Sequence, residues 1–381
     1  YLIDENTQEI NLIYKFDDIN NVYSMHFIKN IQTIYLSLLT TTGMTYLAKI
    51  KLNKKYDSFQ IINNDFLGSE ISISNNNLVY SKNISNSNLY IKKSDDKKNY
   101  GKHTNSVPLT KGTLYIGGFT LSNNNKMIAY FSKAGTKRNI HLLTLDDGHT
   151  KQITFFNNSF IGYPSFSPDS KKLAYSYKSD NEEKINIIDC QTGELIKSYN
   201  LLNISTNKMI RWVDNNSIYY IYTDHRNYGV LNLSNGEIKN LFSNASKGWR
   251  FDPYLSSDKK YLAFYGNLSD IEKDSHGIFV MSIDNNKLDE DKVICFYQQY
   301  YPIGWSNDNK WLYAYRDKHE LCRISRKTWK VNKVMDTFID ALPIVVGNDE
   351  NFILYNVTET KQSDIWLINN FDPEEKYLDS N

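Results

Sequence analysis

Two arginines, Arg211 and Arg250, are the residues whose type and placement point most directly to chemistry. A guanidinium is a permanent cation with a planar fork of donors, and it grips a carboxylate through two parallel hydrogen bonds. Each stands just before or within a short β-forming run, so together they would make a cationic lip for a carboxylate or another acidic group. The competing arrangement is structural, with both arginines bridging neighbouring sheets through Asp252 or a similar carboxylate. Trp249, Tyr115, Tyr163, Tyr301, Glu70 and Asp340 fall on corresponding runs or the loops leading into them. Arginine and aromatic side chains dominate the energetics of recognition sites, so these eight are the candidate ligand-binding residues.

Other chemistries lack their residues. The 7 histidines are His26, His103, His141, His149, His225, His276 and His319, and no two stand three to five apart beside a Cys or carboxylate ligand. Asp284-Asn285-Asn286 lacks the downstream Glu of a calcium loop. No metal and no cofactor is expected. No Gly-x-Ser-x-Gly elbow occurs; Gly162-Tyr163-Pro164-Ser165 and Gly304-Trp305-Ser306-Asn307 are the nearest stretches, which excludes a serine hydrolase. Asp224-His225-Arg226 is the densest polar cluster and reads as an exposed turn. Gly117-Gly118 reads as a place where small size allows close approach. The 3 cysteines, Cys190, Cys295 and Cys322, form no CxxC pair and are expected to be free structural thiols.

The candidate residues need a frame, and the sequence supplies a repeated one. Ser167-Pro168-Asp169-Ser170 has turn chemistry, with proline presetting φ while Ser and Asp bond the local backbone, and Leu173 to Tyr177 follows as a strand. Ile185 to Asp189, the Gln191-Thr192-Gly193-Glu194 turn and Leu195 to Tyr199 continue it. With Ile161 to Phe166 in front, these make one four-stranded antiparallel sheet. The unit returns at Ser122-Asn123-Asn124-Asn125, Ser256-Ser257-Asp258-Lys259 and Ser306-Asn307-Asp308-Asn309, each opening a run of aromatic and aliphatic residues. Weaker copies begin at Lys29-Asn30, Ser74-Asn75, Asp214-Asn215 and Asn348-Asp349. Ser122 and Ser167 stand 45 residues apart, the period of a solenoid or propeller.

The Ser-Pro-Asp-x-Lys-x-Leu-Ala-Tyr pattern of Ser167–Tyr175, with the Ile-x-Ile-x-Asp strand and Thr192-Gly193-Glu194 turn behind it, resembles the repeat of TolB-like, WD40-like β-propellers. The propellers of dipeptidyl and prolyl oligopeptidases are similar. The resemblance implies an all-β propeller of four-stranded antiparallel blades, eight by the copies, with seven as the alternative, and gives the motif's Ser, Asp and Lys to turn building. It implies a non-catalytic extracytoplasmic binding protein that recognises a protein or peptide partner through its central funnel or rim. Two alternatives stay open. One is a polysaccharide-active enzyme like the uronate lyases, with histidine and arginine converging on an acidic oligosaccharide. The other is the sensor ectodomain of a membrane-anchored protein.

The 381 residues are expected to form one domain, because a repeat array buries each sheet only against its neighbours. Ring closure is expected from Ile10–Lys15 pairing with Asp364–Asn369 of the last blade, 341–369. The formal net charge of +1, with both signs dispersed, gives no field for nucleic acid or an anionic membrane, and no apolar stretch is long enough to span a bilayer. A monomer is expected. The start at Tyr1 suggests a mature or trimmed ectodomain, with any signal, lipid anchor or membrane helix out of view.

Overall fold

The computed structural model describes residues 2–3, 10–11, 19–40, 45–52, 59–63, 66, 68–93, 106–112, 114–134, 137–157, 159–179, 182–201, 210–222, 225, 227–241, 248–267, 276–283, 293–316, 320–336, 344–347 and 352–372. Among them there is no α-helix, and the strands form eight antiparallel sheets: five of four strands, two of five and one of two. This is the all-β propeller architecture that the repeat predicts. The sheets equal the repeat copies in number but do not match them one for one. The copies at Ser74 and Asn348 feed a single sheet through two long strands, Asn77–Lys93 and Phe352–Asn369.

The turn chemistry explains why each sheet forms where it does. In four copies the serine Oγ accepts the backbone N–H five residues on: Ser122 from Met127 at 2.9 Å, Ser167 from Lys172 at 2.9 Å, Ser256 from Tyr261 at 3.0 Å and Ser306 from Trp311 at 3.0 Å. The same hydroxyl donates to the residue two positions on, Asn124, Asp169, Asp258 or Asp308, within 2.6 to 2.7 Å. The next residue, Asn125, Ser170, Lys259 or Asn309, takes a left-handed φ of 56–60° that lets the chain reverse. Three buried or local donors are satisfied by two side chains, so the motif residues are turn builders.

The chain divides into two compact units, one comprising Tyr1–Ser85, Ala134–Lys137 and Thr360–Asn381, the other Asn86–Lys133 and Arg138–Glu359. In the second unit, six sheets are linked by six apolar clusters into a closed cycle. Ala129 and Ile140 pack on Ile161 and Leu173; Ala174 and Ile187 pack on Ile218 and Leu231; Tyr219 and Ile221 pack on Leu262 and Phe264. Ala263 and Val280 then meet Leu312 and Ile324, Leu321 meets Ile344 and Tyr355, and Leu354 and Leu89 meet Ile116 and Phe119.

The closing sheet takes strands from distant parts of the chain. Ile344–Val346 pairs with the strand from Phe352, Ile344 opposite Tyr355, and the strand through Tyr90 pairs with Ser106–Pro108. The Tyr90 and Tyr355 rings stack at 5.8 Å. Ile10–Asn11 pairs with Leu2–Ile3 in the two-stranded sheet, and residues 12–15 of the expected closing strand lie outside the described residues. The expected first strand Ile161–Phe166 is also split into Phe160–Ile161 and Ser165–Phe166, around Pro164, which has no N–H to give the ladder.

Two indoles join neighbouring sheets of this unit in the same way. Trp212 Nε1 donates to the Ser165 carbonyl at 2.9 Å, and Trp305 Nε1 to the Tyr254 carbonyl at 2.8 Å. In the first unit, Ile19–Ile28, Thr33–Thr40, Thr45–Lys51 and Phe59–Asn63 form one sheet, and Tyr35, Leu47, Ile71, Leu78 and Phe371 share a cluster.

Candidate binding site in the second unit

The first strands of the six sheets surround a cavity of about 490 Å³ near the serine turns. Each contributes a residue at the same register position: Thr120 opposite Ala129, Ser165 opposite Ala174, Arg211 opposite Tyr219, Tyr254 opposite Ala263, Gly304 opposite Tyr313 and Val345 opposite Leu354. Arg211 is the one charged member of this rung. Its guanidinium lies 3.8 Å from the centre of the Tyr254 ring, its register equivalent in the next sheet, and the two are hydrogen-bonded. Burial pushes the Tyr254 phenol up to about 12, with Arg211 opposing and Asp252 reinforcing the shift. Tyr254 is therefore a neutral platform that orients the arginine. Lys259, Asn123, Asn215 and Asn307 add polar groups to the lining, and Ile344, Val346 and Leu255 add apolar ones.

The expected pairing of Arg211 with Arg250 is not found. The register sets Arg211 level with Tyr254, whereas Arg250 lies four residues earlier on its strand, opposite Gly266. Arg250 is 0% exposed. A bulge between Phe251 and Tyr254 and the shorter turn after Asp214 put the two out of step, a shift that spacing along the sequence does not reveal. Arg250 belongs to the packing beside Tyr228, not to an exposed lip.

Trp249 and Tyr301 join an aromatic wall. Trp249 packs on Phe251 at 5.0 Å and Tyr265 at 5.4 Å, Tyr265 stacks on Tyr301 at 4.1 Å, and Tyr301 stacks on Tyr315 at 4.9 Å. The Tyr265 and Tyr301 hydroxyls are 2.9 Å apart. Beside the wall stands Asp252, half-buried, in the bulge, with a left-handed φ of 48° that a residue other than glycine rarely holds. The Tyr315 phenol is raised by burial first, then by Tyr301 and Asp252.

Tyr115 begins its strand, and Tyr163, within electrostatic reach of it, lies in the break between Phe160–Ile161 and Ser165–Phe166. Tyr163 packs edge-on against Phe131 at 5.6 Å, over Gly118, where a Cβ would collide with its ring. Gly117 makes the same allowance for Phe131, so the glycine pair admits side-chain rings. Glu70 lies in the first unit and is exposed, its backbone N–H donating to Ser81 Oγ at 3.2 Å. Asp340 lies outside the described residues, as do Asp224 and Arg226. His225 has a φ of 56°, and its carbonyl accepts the Arg250 N–H at 2.7 Å. Among the described residues no group of three or more His, Cys, Asp or Glu is placed to hold a metal.

Sequence reasoning missed Tyr254, Tyr265, Tyr315 and Arg138. Counting back from each turn by strand register would have found Tyr254. Arg138 was out of reach because it stands near the start of a third strand, Lys137–Thr144, away from the first strands that line the centre.

No protein-family profile and no curated protein matches the sequence. Solved structures do. TolB from Acinetobacter baumannii is similar at 14% identity and a TM-score of 0.48, over 89% of this chain and 79% of that one. A putative TolB from Agrobacterium tumefaciens gives 15% and 0.49, over 72% of this chain and 99% of that one. An oligogalacturonate lyase in complex with manganese gives 10% and 0.47, over 90% and 89%. At these identities and scores the likeness assigns no role to the chain.

Proposed function

We propose that the chain is a non-catalytic, extracytoplasmic binding protein that takes an acidic segment of a protein or peptide partner into the cavity of the second unit. The observation that carries this reading is the shared rung: six sheets present Thr120, Ser165, Arg211, Tyr254, Gly304 and Val345 to one space, and the charge among them is a single oriented guanidinium. Small and apolar neighbours leave room for a chain, and the arginine selects a carboxylate on it. The uronate lyase alternative calls for histidine beside arginine, and no described histidine lines this cavity. No described helix is long and apolar enough to cross a membrane.

The test is affinity capture from envelope and secreted fractions of the source organism, comparing wild type with Arg211→Gln. Captured partners are then measured as isolated segments. Loss of about tenfold or more in affinity for an acidic segment is expected, the scale of one charge-assisted pair. Equal capture by the two proteins, or none by either, would overturn the reading.

A further inference from the structure

The guanidinium of Arg138 is held between two phenyl faces, 4.0 Å from the centre of Phe160 and 5.4 Å from that of Phe131. It forms neither an ion pair nor a hydrogen bond with any described residue. Its planar fork of donors is thus oriented by stacking alone and otherwise uncommitted. The Phe131 ring that supports it also carries Tyr163 on its edge at 5.6 Å, and Tyr163 is fixed in turn by the space over Gly118. Tyr115 begins the neighbouring strand, 38% exposed. Both phenols lie within the electrostatic reach of the guanidinium, and burial, the largest influence on Arg138, works against its charge.

A partly buried cation with no described carboxylate paired to it is an unfavourable arrangement for the empty protein, Asp252 lying within electrostatic reach of Tyr163 rather than of the guanidinium. Stability alone would favour an apolar side chain of similar length between the two rings. The arrangement suits an anion that brings the missing charge, and phenolic O–H groups beside the fork can donate to the same oxygens. We propose that Arg138, Tyr115 and Tyr163 form a subsite for a carboxylate group of the ligand, with Arg138 gripping both oxygens and the tyrosine hydroxyls completing their hydrogen bonds. The subsite lies at the opposite end of the first strands from the Arg211 rung, five residues from Thr120 along the Tyr115–Leu121 strand. It takes a carboxylate from a peptide or from an acidic sugar, and so stands independently of the partner assigned above.

The test uses the full chain, labelled with ¹⁵N, and follows the Arg Nε–H resonance that disappears in Arg138→Met. The probes are acetyl-glycyl-glycine, the same compound as its uncharged amide, and trigalacturonate. A saturable shift with a carboxylate probe and none with the amide is expected. Weakening by about tenfold or more in Arg138→Met, with a smaller loss in Tyr115→Phe, should accompany it. Arg138→Met should also melt no lower than wild type, because methionine keeps the stacking stem and removes the buried charge. A shift with trigalacturonate alone assigns the subsite to a saccharide and counts against the peptide partner. Binding unchanged in Arg138→Met, no saturable shift with either carboxylate, or a lower melting temperature with binding intact would overturn the proposal.

Discussion

Lys49 Nζ lies 2.7 Å from Asp372 Oδ2, with both side chains almost wholly buried in the first unit. The Tyr35 hydroxyl donates to the same oxygen at 2.9 Å, and the Asp372 N–H donates to Asn76 Oδ1 at 3.1 Å. A polar knot of this kind anchors the end of the described chain beside strands that begin more than three hundred residues earlier. Removing one partner strands a charge in a dry site. Asp372→Asn should therefore destabilise the first unit by about 3–5 kcal/mol, measured by urea unfolding. Exposed pairs such as Lys239–Glu237, with 73% and 50% of the side chains open to water, should contribute almost nothing to the same measurement.

Gly118 and Tyr163 are matched by exclusion. The ring occupies the place a Cβ would take, at a bulge between Ile116 and Phe119 in the strand that pairs with Met127–Ala134. Gly118→Ala should cost about 1–3 kcal/mol in denaturant unfolding, as overpacked sites do. It should also displace Tyr163 and weaken any ligand that depends on Arg138. Gly148, with open space around its Cβ position but a φ of +70°, is the contrasting control, since there the cost of alanine comes from the backbone.

What the sequence made legible was local. The serine turns announced themselves because their chemistry lies within six residues, and Ser167, Asp169 and Lys172 bond one another as the pattern requires. The pairing of distant strands was not legible, because the partners of Ile344–Val346 and of the strand through Tyr90 are set by which faces find a neighbour. The site was half legible. Trp249 and Tyr301 reached one aromatic wall, yet bulges of one residue moved Arg250 into the interior and lifted Asp252 to its side. A bulge leaves no mark in composition or period.

The cysteines offer a test of the packing around them. All three are free, and burial pushes the Cys190 thiol up to about 12 and the Cys295 thiol up to about 11. Thiolate is the reactive form, so iodoacetamide at pH 8 should leave the native protein largely unlabelled and modify all three after urea unfolding. Rapid labelling of Cys190 in the native state would show that the cluster of Ala129, Ile140, Leu173 and Ile188 opens readily.

The serine turns should make the second unit sensitive to acid. Lys310 and Ser306 hold the Asp308 carboxyl down at about 2, and the Thr192 and Gln191 backbone amides hold Asp189 low. At Asp169 and Asp258 burial works upward, but hydrogen bonds from Ser167 and Ser256 and from the turn outweigh it. Unfolded aspartate titrates near about 4. The unfolded chain therefore binds more protons in this range, so the contribution of these groups is complete above about pH 4 and is lost as pH falls through about 2. The turn itself does not require the charge: in the Ser122 copy, Asn124 accepts the Ser122 hydroxyl at 2.7 Å and the Lys126 N–H at 3.1 Å, as Asp169 does in its own turn. Replacing Asp169, Asp258 and Asp308 together by Asn should thus preserve the fold while flattening the fall in melting temperature between pH 5 and about 2. An unchanged slope in that triple variant would move the acid sensitivity to carboxylates outside the turns.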